Sequence, residues 1–332
     1  MKDFLKNIIR KINQEDKSLF KYVLSQNERN LPVAEELFNS FISRLDHRDF
    51  SFYPNTEQLK KKISKHHSTS VNNLLLTAGS DFAIKTIFET FNLSGKNIIT
   101  TDYFFPMYQV YSELYQAELR KAEYNGMSFD TNKLVELIDK DTQFIILANP
   151  NSPLGDVYSI DQIKKLLDTG VYVVVDEAYI EFTKANSCIE LIQEYRNLIV
   201  TRTFSKAYGA AGCRVGFLVS NQENIELLSK FRMMYEVSSV GAKYTEFILD
   251  NIEYFNKYIS DTIKGKEQYL LKLQQQGFNI TNTDASWFFI ERFTDKDNLK
   301  YFNDSGMSLR TLILPDGKEY IKFNYDLILD HG

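Results

Sequence analysis

Cysteine is nearly absent from this chain of 332 residues: Cys188 and Cys213 are its only two. That excludes a disulfide framework and a thiolate metal site. Histidine is scarce as well, with four residues at positions 47, 66, 67 and 331. The adjacent pair, His66 and His67, cannot put both rings on one helical face, so the histidines read as surface residues and not metal ligands. No basic run or stripe occurs and the net charge is −5, which leaves nucleic-acid binding without an electrostatic footprint. Long apolar runs are missing too. The first twelve residues interleave charges with apolar residues at helical spacing, unlike a signal peptide, and no later segment is long enough to span a bilayer. There is no internal repeat, low-complexity tract or linker. The expectation is a metal-free, cytoplasmic protein with no membrane or nucleic-acid partner.

What is present is ordinary soluble composition, with 43% hydrophobic and 25% charged residues, and enough chain to bury a large core. The middle of the sequence alternates short apolar runs with helical patterns. Strands are expected at 74–76, 97–100, 144–147, 171–175, 198–200 and 215–219, and helices at 81–91, 107–119 and 160–167. The valine run at 171–175 reads as a strand buried on both faces, as in a parallel α/β sheet flanked by helices. From about residue 246 the pattern changes to long polar helices, then strand-like stretches at 285–290 and 320–324. We therefore expect a large domain over 46–245 and a smaller α+β domain from 1–45 and 246–332.

Four segments carry chemistry. Lys206 follows an apolar strand and has hydroxyls just before it (Thr203, Ser205), small residues after it, and Arg214 eight positions on. That set suits a phosphorylated aldehyde: the amine can form an imine while hydroxyls and guanidinium hold the phosphate. Taken alone, it also reads as a solvated or salt-bridged lysine. At Gly79-Ser80-Asp81 a strand ends, the glycine turns, and Ser80 caps a helix whose free N–H groups can bind phosphate; a plain well-capped turn fits equally. Asp176 leaves the C-terminal end of the valine strand, where open α/β sheets bind ligands, and Tyr179 lies three residues on. This carboxylate could pair with a protonated ring nitrogen, or the two could be a cap and a core tyrosine. The loop 149–155, with two prolines and a glycine, is a tight turn at the sheet edge.

In this order and spacing the segments resemble fold-type I pyridoxal-phosphate (PLP) enzymes, and among them histidinol-phosphate aminotransferases. The matching motifs are Tyr-Pro at 53, Gly-Ser-Asp at 79–81, Phe-Pro-Met-Tyr at 105–108, the Asn-Pro loop, Asp-Glu-Ala-Tyr at 176–179, and Ser-Lys-x-x-Gly-x-x-Gly-x-Arg ending at Arg214. The resemblance implies that Lys206 carries the cofactor and shuttles a proton, that Asp176 faces the pyridine nitrogen, and that Tyr179 bonds the ring oxygen O3′. Phe105 would stack on the ring, with Tyr103 a less suitable alternative. Gly79, Ser80 and Asp81 would cradle the phosphate on backbone donors, clamped by Thr203, Ser205 and Arg214. Tyr53 would reach the neighbouring subunit's phosphate, implying a homodimer with shared sites.

The chain departs from that pattern in two places. Ser152 stands where the family has the asparagine that bonds O3′. Near the C-terminus the family places two anion-holding arginines; Arg310 matches the first, but Lys322 replaces the second, and a lysine cannot grip a carboxylate as a planar fork. Lys322 reads either as a substrate contact or as a solvent-facing residue. Asn27 and Arg29, in a loose match to the family's loop at the pocket mouth, are further substrate-side candidates, and Arg29 reads equally as a surface arginine. The implied activity is amino transfer, with glutamate as donor and a small phosphorylated carbonyl compound as acceptor. The alternative is decarboxylation of a phosphorylated amino acid such as phosphoserine or phosphothreonine. A regulatory, non-catalytic PLP protein is a third reading, disfavoured because no basic recognition helix precedes residue 53.

Overall fold

The computed structural model describes residues 3–10, 15–292, 300, 302, 304 and 306–326. After a two-residue strand, β1 (Tyr22–Val23), the chain lays down a seven-stranded sheet. Its strands are β2 (Leu74–Thr77), β3 (Asn97–Thr101), β4 (Glu118–Ala122), β5 (Thr142–Ala148), β6 (Tyr172–Asp176), β7 (Leu198–Thr203) and β8 (Gly216–Val219). The spatial order is β2-β8-β7-β6-β5-β3-β4, with β8 antiparallel to both neighbours and the rest parallel. The valine strand is buried on both faces as its composition requires. Val173 and Val175 join the hydrophobic cluster on one face of the sheet, and Val174 joins the cluster on the other.

One expected helix is shorter than its pattern. Met107–Leu114 is helical, but the chain turns at Tyr115 and Glu118–Ala122 runs as an edge strand parallel to β3. Edge strands are half solvated and tolerate charges, so Glu-Leu-Arg-Lys-Ala carries little of the apolar signal of a central strand. A second difference lies at the next helix upstream. Helix Ser80–Thr90 has Gly79, not Ser80, at its N-cap position, and no side chain caps it. Gly79 turns the chain at φ 81, which glycine does at little cost, so the helix begins directly after it.

The last part of the chain forms the long helix Ile252–Gln275 and a four-stranded antiparallel sheet. This sheet contains β9 (Ile280–Thr281), β10 (Trp287–Glu291), β12 (Arg310–Ile313) and β13 (Glu319–Asn324), in the order β12-β13-β10-β9. Between them β11 (Met307–Ser308) pairs in parallel with β1. One face of the small sheet, with Phe288, Ile290, Ile321 and Phe323, packs in a cluster with Leu270 and Leu273 of the long helix. The other, with Trp287, Phe289 and Tyr320, packs with Tyr124 and Leu154 of the first sheet's loops.

Two buried polar ties lock the parts together. Arg202 donates to Glu177 at 2.7 Å and to Glu181 at 2.8 Å, and Glu177 also accepts from the Cys188 backbone at 2.6 Å. The loop that carries Tyr179 is therefore anchored on both sides. Lys266 donates to the carbonyls of Thr283 and Ala285, each at 2.6 Å, and burial pulls its pKa down to about 8. That fixes the turn leading into Trp287, whose indole N–H donates to the Pro153 carbonyl at 2.8 Å. Of the histidines, His47 and His66 are exposed. His67 is instead half-buried, its ring 5.3 Å from Phe217, because the helix end it occupies packs on the sheet. His331 lies outside the described residues.

Candidate active site

The sheet brings Asp176 to the C-terminal end of its middle strand, level with Thr201 on β7. Its carboxylate is buried and accepts the Thr201 hydroxyl at 2.8 Å and the Tyr108 hydroxyl at 3.3 Å. Burial dominates: it pushes the Asp176 pKa up to about 6, although both hydroxyls favour the charged form. An acid in this setting is strongly biased toward a cationic partner. Neither Thr201 nor Tyr108 was singled out from sequence, although the strand pairing across from Asp176 was a usable signal for Thr201.

Lys206 sits in the turn after β7. Its ammonium donates to the Gln26 carbonyl at 2.8 Å and lies 5.6 Å from the Tyr179 ring. The Tyr179 hydroxyl accepts from the Asn27 side chain at 3.0 Å, and its ring meets Trp287 edge-on at 4.8 Å. Asn27 is 9% exposed, holds a left-handed φ of 53, and keeps its side-chain oxygen buried without a partner among the described residues. The N-terminal segment thus reaches the Lys206–Tyr179 pair through two adjacent residues.

Beside them is a cradle made largely of backbone. The first turn of helix Ser80–Thr90 has no side-chain cap, so its N–H groups are open to an anion. Gly216 lets β8 approach: a Cβ there would lie 2.5 Å from the Gly79 carbonyl carbon and 2.6 Å from the Ser80 nitrogen. Arg214, in the left-handed region at φ 52, lays its guanidinium across Gly79 and donates to the Ala78 carbonyl at 3.2 Å. Thr203 and Ser205 are buried and bonded hydroxyl to hydroxyl at 2.9 Å. Asp81 accepts the Tyr111 hydroxyl at 2.9 Å, which leaves its backbone N–H as its contribution to the cradle.

The remaining candidates divide. Phe105 and Tyr103 are both half-buried; Phe105 meets Tyr108 edge-on at 5.8 Å, beside Asp176, whereas the Tyr103 ring turns toward Tyr124. Ser152 is half-buried in the loop whose neighbour Pro153 accepts from Trp287. Lys322 lies over the Trp287 ring, 3.9 Å from its centroid, and pairs across strands with Arg310. Burial, helped by the charges of Lys206 and Arg310, holds the Lys322 pKa well below the ordinary lysine range. Arg29 does not line this space as an open cation. Its guanidinium stacks 3.6 Å over the Tyr258 ring and its Nε donates to the Leu31 carbonyl, because the N-terminal segment crosses the long helix there. Tyr53, 77% exposed and stacked on Tyr235 at 4.1 Å, faces outward.

The family model for aminotransferase class I and II matches residues 21–312. The chain belongs to that family. It is 34% identical over 320 residues to the histidinol-phosphate aminotransferase of Christiangramia forsetii, covering 93% of this chain and 90% of that protein. The crystal structure of histidinol-phosphate aminotransferase from Sinorhizobium meliloti in complex with pyridoxal-5'-phosphate superposes with a TM-score of 0.84 at 20% identity, covering 97% and 92%. The L-threonine-O-3-phosphate decarboxylase from Porphyromonas gingivalis superposes at 0.75 with 22% identity, covering 91% and 94%. This aminotransferase is therefore a fold-type I, PLP-dependent enzyme. Its own residues fit the cofactor: an uncapped helix start for the phosphate, a lysine amine, and a buried acid suited to a protonated ring nitrogen.

Burial of Asp176 has a measurable consequence for pH. Its folded pKa, about 6, stands above the ordinary 3.8, so folding favours the protonated acid. The stability this gives the cofactor-free protein is present below 3.8 and lost as pH rises through about 6. The loss is about 3 kcal/mol at 1.36 kcal/mol per pKa unit. Denaturant titrations of cofactor-free protein from pH 4 to 7 should show this slope, and Asp176→Asn should remove it. An identical slope in the variant would take Asp176 out of the account.

Proposed function

We propose that this aminotransferase moves an amino group from glutamate to a small phosphorylated ketone of the histidinol-phosphate kind. The observation that carries the reading is the convergence of Lys206, buried Asp176 and the uncapped helix start at Ser80 at one end of the sheet. Support for the substrate comes from the 34% identity to the Christiangramia forsetii histidinol-phosphate aminotransferase over nearly the whole chain. Bound in the cradle, PLP supplies an electron sink for charge developing at the substrate's α-carbon. Asp176 keeps the ring nitrogen protonated; Thr201 and Tyr108 hold its carboxylate in place. Lys206, once its amine is free, moves the proton at the α-carbon in both half-reactions. Tyr179, with its hydroxyl oxygen held by Asn27, keeps its own proton to give to O3′, where Ser152 is too short to replace an asparagine. Phe105 covers the ring face.

We assign residues 46–245 to cofactor binding and 1–45 with 246–332 to the smaller substrate-side domain. We also infer a homodimer in the cytoplasm. Phe50, Phe52, Tyr53, Met233, Met234 and Tyr235 are exposed, with Tyr53 stacked on Tyr235, and Tyr53 is the residue expected to reach the partner's phosphate. Both cysteines are unpaired, in keeping with a reducing compartment.

Glutamate added to the PLP-loaded enzyme should convert the cofactor's absorbance to that of the amine form and release 2-oxoglutarate. The ketone corresponding to histidinol phosphate should then restore the original spectrum. Carbon dioxide from phosphothreonine without any keto product would favour the decarboxylase instead. Shared sites are checked separately: mixing inactive Lys206→Ala with a Tyr53→Ala variant of impaired activity should yield hybrid dimers more active than either parent. No gain on mixing would argue against a partner role for Tyr53.

A further inference from the structure

The loop that meets Lys206 and Tyr179 is built from residues 23–31, and what holds it is remote in sequence. Asn30 pinches it shut: its side-chain amide accepts from the Val23 N–H at 2.7 Å and donates to the Val23 carbonyl at 3.1 Å, as a neighbouring strand would. Below the pinch β1 pairs with β11, and the Leu24 N–H donates to the Ser308 carbonyl at 3.0 Å. One buried carboxylate then fixes the loop's exit. Asp326, two residues past β13, accepts from the backbone N–H of Asn30, from that of Leu31 at 3.3 Å, and from the Tyr258 hydroxyl on the long helix. The Tyr258 ring lies under the Arg29 guanidinium, and the Arg29 side chain crosses Gly209, where a Cβ would stand 2.5 Å from its Cδ. Gly209 donates its N–H to the Lys206 carbonyl at 3.0 Å, so Arg29 packs on the turn that carries the lysine. At the loop's tip, Gln26 and Asn27 meet the Lys206 ammonium and the Tyr179 hydroxyl.

We propose that Asp326 and Asn30 are positioning residues for the site, acting through this loop: they hold Asn27 against Tyr179 and so fix which way the tyrosine's proton points. A phenol hydroxyl turns freely unless its oxygen already has a donor. With the Asn27 N–H on that oxygen the proton is given elsewhere, and on the reading above it goes to the cofactor's O3′. A free loop would not present Asn27 in this way. The residue sits at φ 53, an uncommon conformation that the surroundings must impose, and ordering the loop costs conformational entropy. The Asp326 and Asn30 contacts offset that cost. The proposal rests on the aminotransferase reading, in which Tyr179 bonds O3′, and its consequence is spectroscopic. A donor on O3′ stabilises negative charge there and lowers the pH at which the bound cofactor's absorbance titrates. Loosening the loop must raise that pH, by the same route as losing Asn27 itself. A loop with only a structural role would leave it in place.

PLP-loaded enzyme is titrated by absorbance across the cofactor's transition, and cofactor-free protein is followed by hydrogen exchange. Asp326→Ala removes the acceptor at the loop's exit. Asn30→Ala opens the pinch and leaves Asp326 in place, so the test stands even if the first variant folds poorly. In both, the amides of residues 24–31 should exchange at least about tenfold faster, with those of the seven-stranded sheet unchanged. The titration should move up by about half a pH unit, the size expected when a hydrogen bond is weakened and not lost. Asn27→Ala should shift it at least as far, and adding Asn30→Ala to that variant should bring no further shift. Tyr179→Phe should move it by about one unit. Faster exchange with an unmoved titration would reduce the loop to a structural role and overturn the proposal. Unaltered exchange, or shifts that add in the double variant, would overturn it too. Any of these with Tyr179→Phe still shifting the titration would leave the aminotransferase reading intact. An unmoved titration in Tyr179→Phe would instead sink the placement of that tyrosine at O3′, on which the proposal stands.

Discussion

The arrangement depends on a carboxylate placed where water cannot stabilise it. Asp176 ends a strand whose preceding valines are buried on both faces, and two hydroxyls from different elements hold it. A buried acid of this kind is costly unless something positive meets it. In the proposed site a protonated pyridine nitrogen would satisfy that need and would in turn be kept protonated by it. On that reading the interior of the sheet would set the electronic character of the cofactor, and the loops would supply the other contacts.

Those loops come from distant parts of the chain. Residues 26 and 27 reach over Lys206 and Tyr179, residues 79–81 and 214–216 close on each other, and β10 and β13 bring Trp287 and Lys322. Trp287 links them: its indole N–H holds the proline loop, its edge meets Tyr179, and its face carries Lys322. The tie from Lys266 to the turn before Trp287 gives that residue a fixed position. One side chain thus ties Lys322 to the proline loop and to Tyr179.

The parts legible in the sequence were those written locally. A glycine turn after an apolar strand, an aspartate at the end of a valine run and a lysine between hydroxyls and an arginine each carry their chemistry within a few residues. The parallel sheet was legible for the same reason, since valines buried on both faces have a composition of their own. What stayed hidden depends on contacts between remote segments. Thr201 and Tyr108 matter only through their approach to Asp176. Arg29, a substrate-side candidate by position, is claimed by Tyr258 from a helix more than two hundred residues away. The edge strand at 118–122 was lost because solvent on one side erases its apolar pattern. Ser80 looked like a cap because its residue type favours that role, but the positive φ of Gly79 placed the helix start one residue earlier in the turn.

The most direct measurement fixes the cofactor to the chain chemically. Borohydride reduction of PLP-loaded protein converts an imine into a stable secondary amine, which peptide mapping then locates. The account predicts the phosphopyridoxyl group on Lys206 alone. Modification at Lys322 or Lys266 with Lys206 unmodified would contradict it.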